Sequence, residues 1–243
     1  MRIGFDLDGV LADLHKTFVA TAIELFPELD ASALASPEAG ASPPTQVPGS
    51  DPIAPEEASL KRPLSQRKRD AIWAHLATVP DFWESLGEIE DGAIRRLSEI
   101  ALDRKWEVMF LTSRPYAPGK TVQRQSQVWL ERLGFALPSL FVVQTSRGKI
   151  AESLQLDVVV DDRPENCLDV ALESKARAIL VWRGSPEKVP PATKRLGIGV
   201  VPNVAACLDL LIEADKEAQT PDDLVQRLRR LLGLTPKTKS SVG

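Results

Sequence analysis

Short runs of consecutive apolar residues recur along this chain. Between most of them lie longer stretches whose apolar positions fall three or four apart. Residues 2–7 (RIGFDL) form the first run, and 106–111 (WEVMFL), 140–143 (LFVV), 157–161 (DVVVD), 178–182 (AILVW) and 199–201 (GVV) follow. Runs of this length predict strands buried on both faces. The stretches at 12–26, 66–78, 91–103, 119–133, 148–154, 164–174, 191–196 and 203–214 predict helices. In the first, Leu14, Phe18, Ala22 and Leu25 share one side. Ile72, Trp73, Leu76 and Ala77 do so in the second, behind Ser65 as a helix cap. Pro164 suits a first helical turn. From residue 91 onward strands and helices alternate, which predicts an α/β fold: a Rossmannoid parallel sheet flanked by helices.

The pattern breaks in two places. Residues 30–64 hold seven prolines and no aromatic residue, so that tract cannot pack a core and reads as a flexible linker. Residues 220–233 read as an amphipathic terminal helix, capped by Thr220, with a frayed tail beyond. The expected division is a core of 1–13 and 91–214, an insertion over 14–90 that includes the tract, and a terminal segment over 215–243.

Composition narrows the picture only a little. At 243 residues, with 43% hydrophobic and 26% charged residues, the chain can bury a full core. A net charge of −4 with no basic half gives no electrostatic footprint for nucleic acid or an anionic membrane. It leaves a small nucleic-acid fragment open as substrate. Cys167 and Cys207 lie in apolar helical settings and read as reduced core thiols. No Cys/His spacing suggests zinc. No apolar run approaches the ~20 residues of a membrane span, and the first residues lack a leader's layout. The expected location is the cytoplasm.

Chemistry gathers after the strands, where ligands bind in such folds. The first strand ends in Asp6 and Asp8 around Leu7, followed by Gly9. Thr112, Ser113 and Arg114 follow the second strand, and Lys149 opens a helix after the third. The fourth strand ends in Asp161, Asp162 and Arg163. Carboxylates so close repel each other and are costly to desolvate. A hard divalent cation such as Mg²⁺ would offset that repulsion. A hydroxyl, a lysine and backbone N–H groups suit a phosphate. One carboxylate could act as nucleophile and a second as proton donor and acceptor.

"FDLDGVLAD", "VMFLTSRP", Lys149 and "VVVDDRPEN" resemble, in order and context, the four motifs of the haloacid dehalogenase (HAD) superfamily. That resemblance implies Asp6 as nucleophile and Mg²⁺ ligand. It implies Asp8 as general acid/base, binding metal through its backbone carbonyl. Thr112, assisted by Ser113, would bind the phosphoryl group, and Lys149 would neutralise charge. Asp162 would be a direct metal ligand with Asp161 beside it and Arg114 in support. The insertion at 14–90 sits where small C1-type caps occur in this superfamily. "TSRP", "DDRPEN" and "PDFWESLGEIEDGA" resemble its 5′(3′)-deoxyribonucleotidase branch. The implied activity is a Mg²⁺-dependent phosphomonoesterase working on a nucleoside monophosphate or another small phosphorylated metabolite.

Two other readings stay open. Arg114 and the stretch from Asp161 to Gly184 also resemble phosphatase modules that remove a 3′-phosphate from polynucleotide ends. A non-catalytic phosphate-binding or scaffold protein would use the same groups without turnover. Trp73, Phe82 and Trp83 could stack on a base or form the core of the cap. His15 and His75 read as structural or surface residues, and Lys61, Arg62, Arg67, Lys68 and Arg69 as a solvated helix face.

Overall fold

The computed structural model describes residues 1–30, 34 and 64–217. The expected terminal helix over 220–233, most of the 30–64 tract, and Lys61 and Arg62 lie outside the described residues. Six strands form a parallel sheet in the order β3-β2-β1-β4-β5-β6. They are β1 (Arg2–Asp6), β2 (Glu107–Thr112), β3 (Ser139–Val142), β4 (Val158–Asp161), β5 (Arg177–Val181) and β6 (Gly199–Val201). Each matches an expected strand to within a residue or two. The apolar runs are sequestered as anticipated: Ile3, Phe5, Phe110, Leu111, Val158, Val160, Ile179 and Leu180 have essentially no exposure.

The chain forms two compact units. One comprises Gly4–Thr145, and the other Met1–Ile3 with the residues from Ser146 onward. The first unit contains α1 (Leu14–Leu25), α2 (Gln66–Leu76), a 3-10 turn at Phe82–Glu84, α3 (Ala93–Arg104) and α4 (Val122–Arg132). Asp13 caps α1 by accepting the Lys16 N–H at 2.9 Å. Ser65 caps α2 as its position predicts, accepting from Lys68 N–H at 3.4 Å. The Phe18 and Trp73 rings, 5.7 Å apart, join these two helices. The basic run of α2 is not a bare cationic face. Arg69 is buried with its Nη1 on the Leu64 carbonyl, and Lys68 pairs with Glu28 at 2.6 Å.

The second unit contains α5 (Arg147–Ser153), α6 (Pro164–Glu173), a 3-10 turn at Pro186–Lys188, α7 (Pro191–Arg195) and α8 (Val204–Glu217). Its β4 and β5 pair in register Val159 to Ala178 and Asp161 to Leu180. The start of β1 is tied in by Asp157, whose N–H donates to the Arg2 carbonyl at 2.9 Å. Cys167 and Cys207 are buried and neither forms a disulfide, as their apolar settings suggested. No described helix is long and apolar enough to cross a membrane.

Candidate active site

In the unit Gly4–Thr145, Asp6 ends β1 and is buried. The chain then turns sharply. Leu11 and Ala12 both donate to the Leu7 carbonyl, at 2.8 and 2.7 Å, and Gly9 donates to Ala12 at 3.1 Å. Gly9 has φ of 88°, a left-handed conformation that a side chain at this turn would strain. This turn fixes Asp8. The returning segment secures it further, with Asp13 N–H on the Gly87 carbonyl and Ile89 N–H on the Leu11 carbonyl, each at 2.9 Å.

Asp8 does not face solvent freely. Its Oδ1 accepts Arg114 Nη2 at 2.7 Å and Nε at 3.0 Å, and its Oδ2 accepts the same Nε at 2.9 Å. Thr112, buried at the end of β2, donates from Oγ1 to Asp8 Oδ2 at 3.4 Å. The same oxygen accepts the Arg114 N–H at 3.4 Å. Ser113 is exposed beside them. The sequence places Asp6, Asp8, Thr112, Ser113 and Arg114 after two neighbouring strands, and in this unit Asp8, Thr112 and Arg114 form one bonded cluster.

In the other unit, Lys149 is exposed in the first turn of α5. Ser146 caps that helix, accepting from Gly148 and Lys149 N–H at 3.1 and 3.4 Å. Arg147, two residues before Lys149, is buried and aims Nε at Asp161 Oδ2 from 3.4 Å. Asp161 is fully enclosed. It accepts the Arg163 N–H at 2.9 Å and both hydrogen bonds of the Asn166 amide, at 3.0 and 2.9 Å. Burial holds its carboxyl above the usual carboxylate range, with Arg147 opposing. Asp162 differs from it. Its Oδ1 is enclosed without a hydrogen-bond partner. Burial first, and then the charge of Asp161, push its carboxyl up to about 8.

An enclosed carboxylate oxygen with no donor is a fit for a hard cation. Among the described residues, no three His, Cys, Asp or Glu side chains gather as a ready cage. A cation would therefore draw on backbone carbonyls and water besides carboxylates, which is the habit of Mg²⁺.

Sequence reasoning gave no role of their own to Asn166, Ser126 or Glu88. Asn166 closes the stretch "VVVDDRPEN", five residues after Asp161 and on the first turn of α6. Ser126 accepts Arg114 Nη1 at 2.9 Å, a contact that no local pattern announces.

No protein-family model matches this sequence, and no curated protein matches it either. Solved structures do. A haloacid dehalogenase-like family hydrolase from Streptococcus pneumoniae aligns with TM-score 0.50 at 12% identity, over 86% of this chain and 96% of that one. A hydrolase from Pseudomonas syringae aligns with TM-score 0.48 at 18% identity, over 90% of this chain and 100% of that one. A putative beta-phosphoglucomutase from Thermotoga maritima gives TM-score 0.49 at 16% identity, over 87% of this chain and 98% of that one. At such identities the likeness is one of fold, carried by the first of the three: this chain has the α/β fold of a haloacid dehalogenase-like hydrolase.

Proposed function

We propose that this chain is a Mg²⁺-dependent phosphomonoesterase acting through an aspartyl-phosphate, with a nucleoside monophosphate as the preferred substrate class. The observation that carries the reading is the pairing of Asp6 and Asp8 at the end of β1, with Asp8 in hydrogen-bond reach of Thr112 at the end of β2. Two carboxylates in succession supply a nucleophile and a proton carrier. A buried threonine hydroxyl beside them supplies a phosphoryl-oxygen donor.

In this reading the Asp6 carboxylate attacks phosphorus and the ester P–O bond breaks. Asp8 gives its proton to the departing oxygen. Asp8 then takes a proton from water, which attacks the aspartyl-phosphate, releases inorganic phosphate and restores Asp6. Thr112 and Ser113 hold phosphoryl oxygens, and Lys149 balances their charge. Asp6, the Asp8 carbonyl and Asp162 would hold Mg²⁺, with Asp161 fixing the approach to Asp162. When bound, the ion would neutralise charge on the phosphoryl oxygens. Residues 14–90 serve as the cap.

A cavity of about 360 Å³ in the unit Gly4–Thr145 supports the substrate class. Trp73, Phe82, Trp83 and Tyr116 line it, and Asp70 adds a carboxylate. Trp73, Phe82 and Trp83 are buried, whereas Tyr116 is 74% exposed and offers its ring face to a planar ring. The cavity wall at Pro115–Ala117 follows directly on Arg114.

The test is phosphate release, with Mg²⁺ and with EDTA. The panel contains deoxy- and ribonucleoside 5′- and 3′-monophosphates, sugar phosphates and a 3′-phosphorylated oligonucleotide. Mg²⁺-dependent release from the mononucleotides, abolished in Asp6→Asn and slowed by orders of magnitude in Asp8→Asn, is the expected result. Release confined to the oligonucleotide would reassign the substrate. A folded protein that releases nothing, or activity indifferent to EDTA, would overturn the mechanism.

A further inference from the structure

The contacts of Arg114 exceed what a salt bridge needs. Its side chain has no exposure, and that of Asp8 has 13%. Nε and Nη2 grip both oxygens of Asp8, while Nη1 points the other way, to Ser126 Oγ on α4. The guanidinium carbon lies over the Trp83 ring at 4.8 Å and over the Trp129 ring at 5.5 Å. Both rings are themselves pinned. Trp83 Nε1 donates to the Pro115 carbonyl at 3.1 Å, and Trp129 Nε1 to the Leu86 carbonyl at 2.8 Å.

Stability does not account for this arrangement. A buried ion pair is on average no better than well-packed apolar residues of the same volume. What a fork held in an aromatic slot does supply is orientation. The terminal torsion of an aspartate is soft, and a planar fork with a third anchor stiffens it. Each Asp8 oxygen takes two donor contacts, Oδ1 from Nε and Nη2 and Oδ2 from Nε and the Thr112 hydroxyl, so the plane of the carboxylate is fixed.

We infer that Arg114 is a positioning residue that fixes the orientation of the Asp8 carboxylate, and that Ser126 sets the angle of the Arg114 fork from helix α4. The inference rests on the phosphomonoesterase reading above. Neither residue need touch substrate. Loss of either should therefore lower turnover and leave substrate affinity alone.

The experiment measures kcat and KM with Mg²⁺ for deoxythymidine 5′-monophosphate and p-nitrophenyl phosphate, together with the thermal midpoint. It compares wild type, Ser126→Ala, and Arg114→Ala with and without millimolar guanidinium. Small displacements of a reacting group cost up to about 100-fold in rate, so Ser126→Ala should lower kcat about tenfold and Arg114→Ala about 100-fold. KM should stay within about twofold in both, and guanidinium should restore part of the Arg114→Ala rate. Folded Ser126→Ala with wild-type kcat overturns the inference, as does a loss expressed only in KM. Wild type that hydrolyses neither these esters nor any member of the panel above overturns the phosphomonoesterase reading first, and this inference with it.

Discussion

Gly148 in α5 lies against the main chain of Asp169 in α6, so closely that a Cβ there would stand 2.2 Å from the Asp169 carbonyl oxygen. The β-carbon of Glu173 would be 2.7 Å away. Neither neighbour is the free end of a flexible side chain, so the helices would have to part. In open helix Gly→Ala stabilises by up to about 1 kcal/mol, whereas overpacking costs about 1–3 kcal/mol. At this contact the second effect wins. Gly148→Ala should lower the thermal midpoint by several degrees, and because Lys149 is the next residue, it should lower activity too. A midpoint that rises would mean the helices separate at little cost.

Arg147 and Asp161 form a buried pair in the same unit, 4% and 0% exposed. Arg147→Met keeps much of the volume and strands the carboxylate. Breaking such a pair from one side costs about 3–5 kcal/mol. Urea unfolding should show a loss of that order. The double variant Arg147→Met/Asp161→Asn should recover part of it, because an amide needs no counter-charge. If the single variant unfolds like wild type, Asn166 and the Arg163 N–H alone hold Asp161.

Most of the fold was legible in the sequence because its signals are local. Buried parallel strands write themselves as apolar runs, and Ser65 and Pro164 announce helix starts within one turn. The acids were legible for the same reason: Asp6, Asp8, Asp161 and Asp162 follow strands directly. What was not legible depends on distance along the chain. Arg114 was expected only as a support to the site, and its particular partners were hidden, since Asp8 lies 106 residues away and Ser126 lies on another element. Glu88 escaped notice for a related reason. The cap position of α3 is Gly92, which has no side chain to accept. Glu88 reaches in instead, accepting the N–H of Gly92 at 3.0 Å and of Ile94 at 2.9 Å. That spacing is not the familiar capping box. The stretch around it, between the predicted helices at 66–78 and 91–103, also holds the 3-10 turn at Phe82–Glu84.

Asp81 and Lys120 join two loops of the unit Gly4–Thr145. The Lys120 N–H donates to Asp81 Oδ1 at 2.8 Å, and its Nζ reaches Oδ2 at 3.1 Å. These donors, the backbone N–H foremost, hold the Asp81 carboxyl below its usual value of 3.8. A lowered carboxyl contributes stability above its unfolded value and loses it as pH falls through the folded one. Asp81→Asn keeps an acceptor for the N–H and tolerates the residue's φ of 53°. Its thermal midpoint should fall slightly below that of wild type at pH 7, and the gap should close in acid, below the folded-state value. A gap that is constant across pH would assign the effect to packing rather than charge.

Asp162 is where a cation can be detected without any turnover. Its enclosed Oδ1 lacks a donor, and burial with the Asp161 charge disfavours its anion. In the absence of metal, Asp162→Asn replaces a disfavoured carboxylate with an amide, so it should melt no lower than wild type. Mg²⁺ reverses the ranking if Asp162 is a ligand. A ligand that binds only the folded state at a hundredfold excess over its Kd adds about 2.7 kcal/mol. Wild type should therefore gain several degrees with Mg²⁺ at constant ionic strength, and Asp162→Asn should gain little. Equal shifts in both proteins would remove Asp162 from the ligand set. No shift in either, in folded protein, would remove the ion from the site.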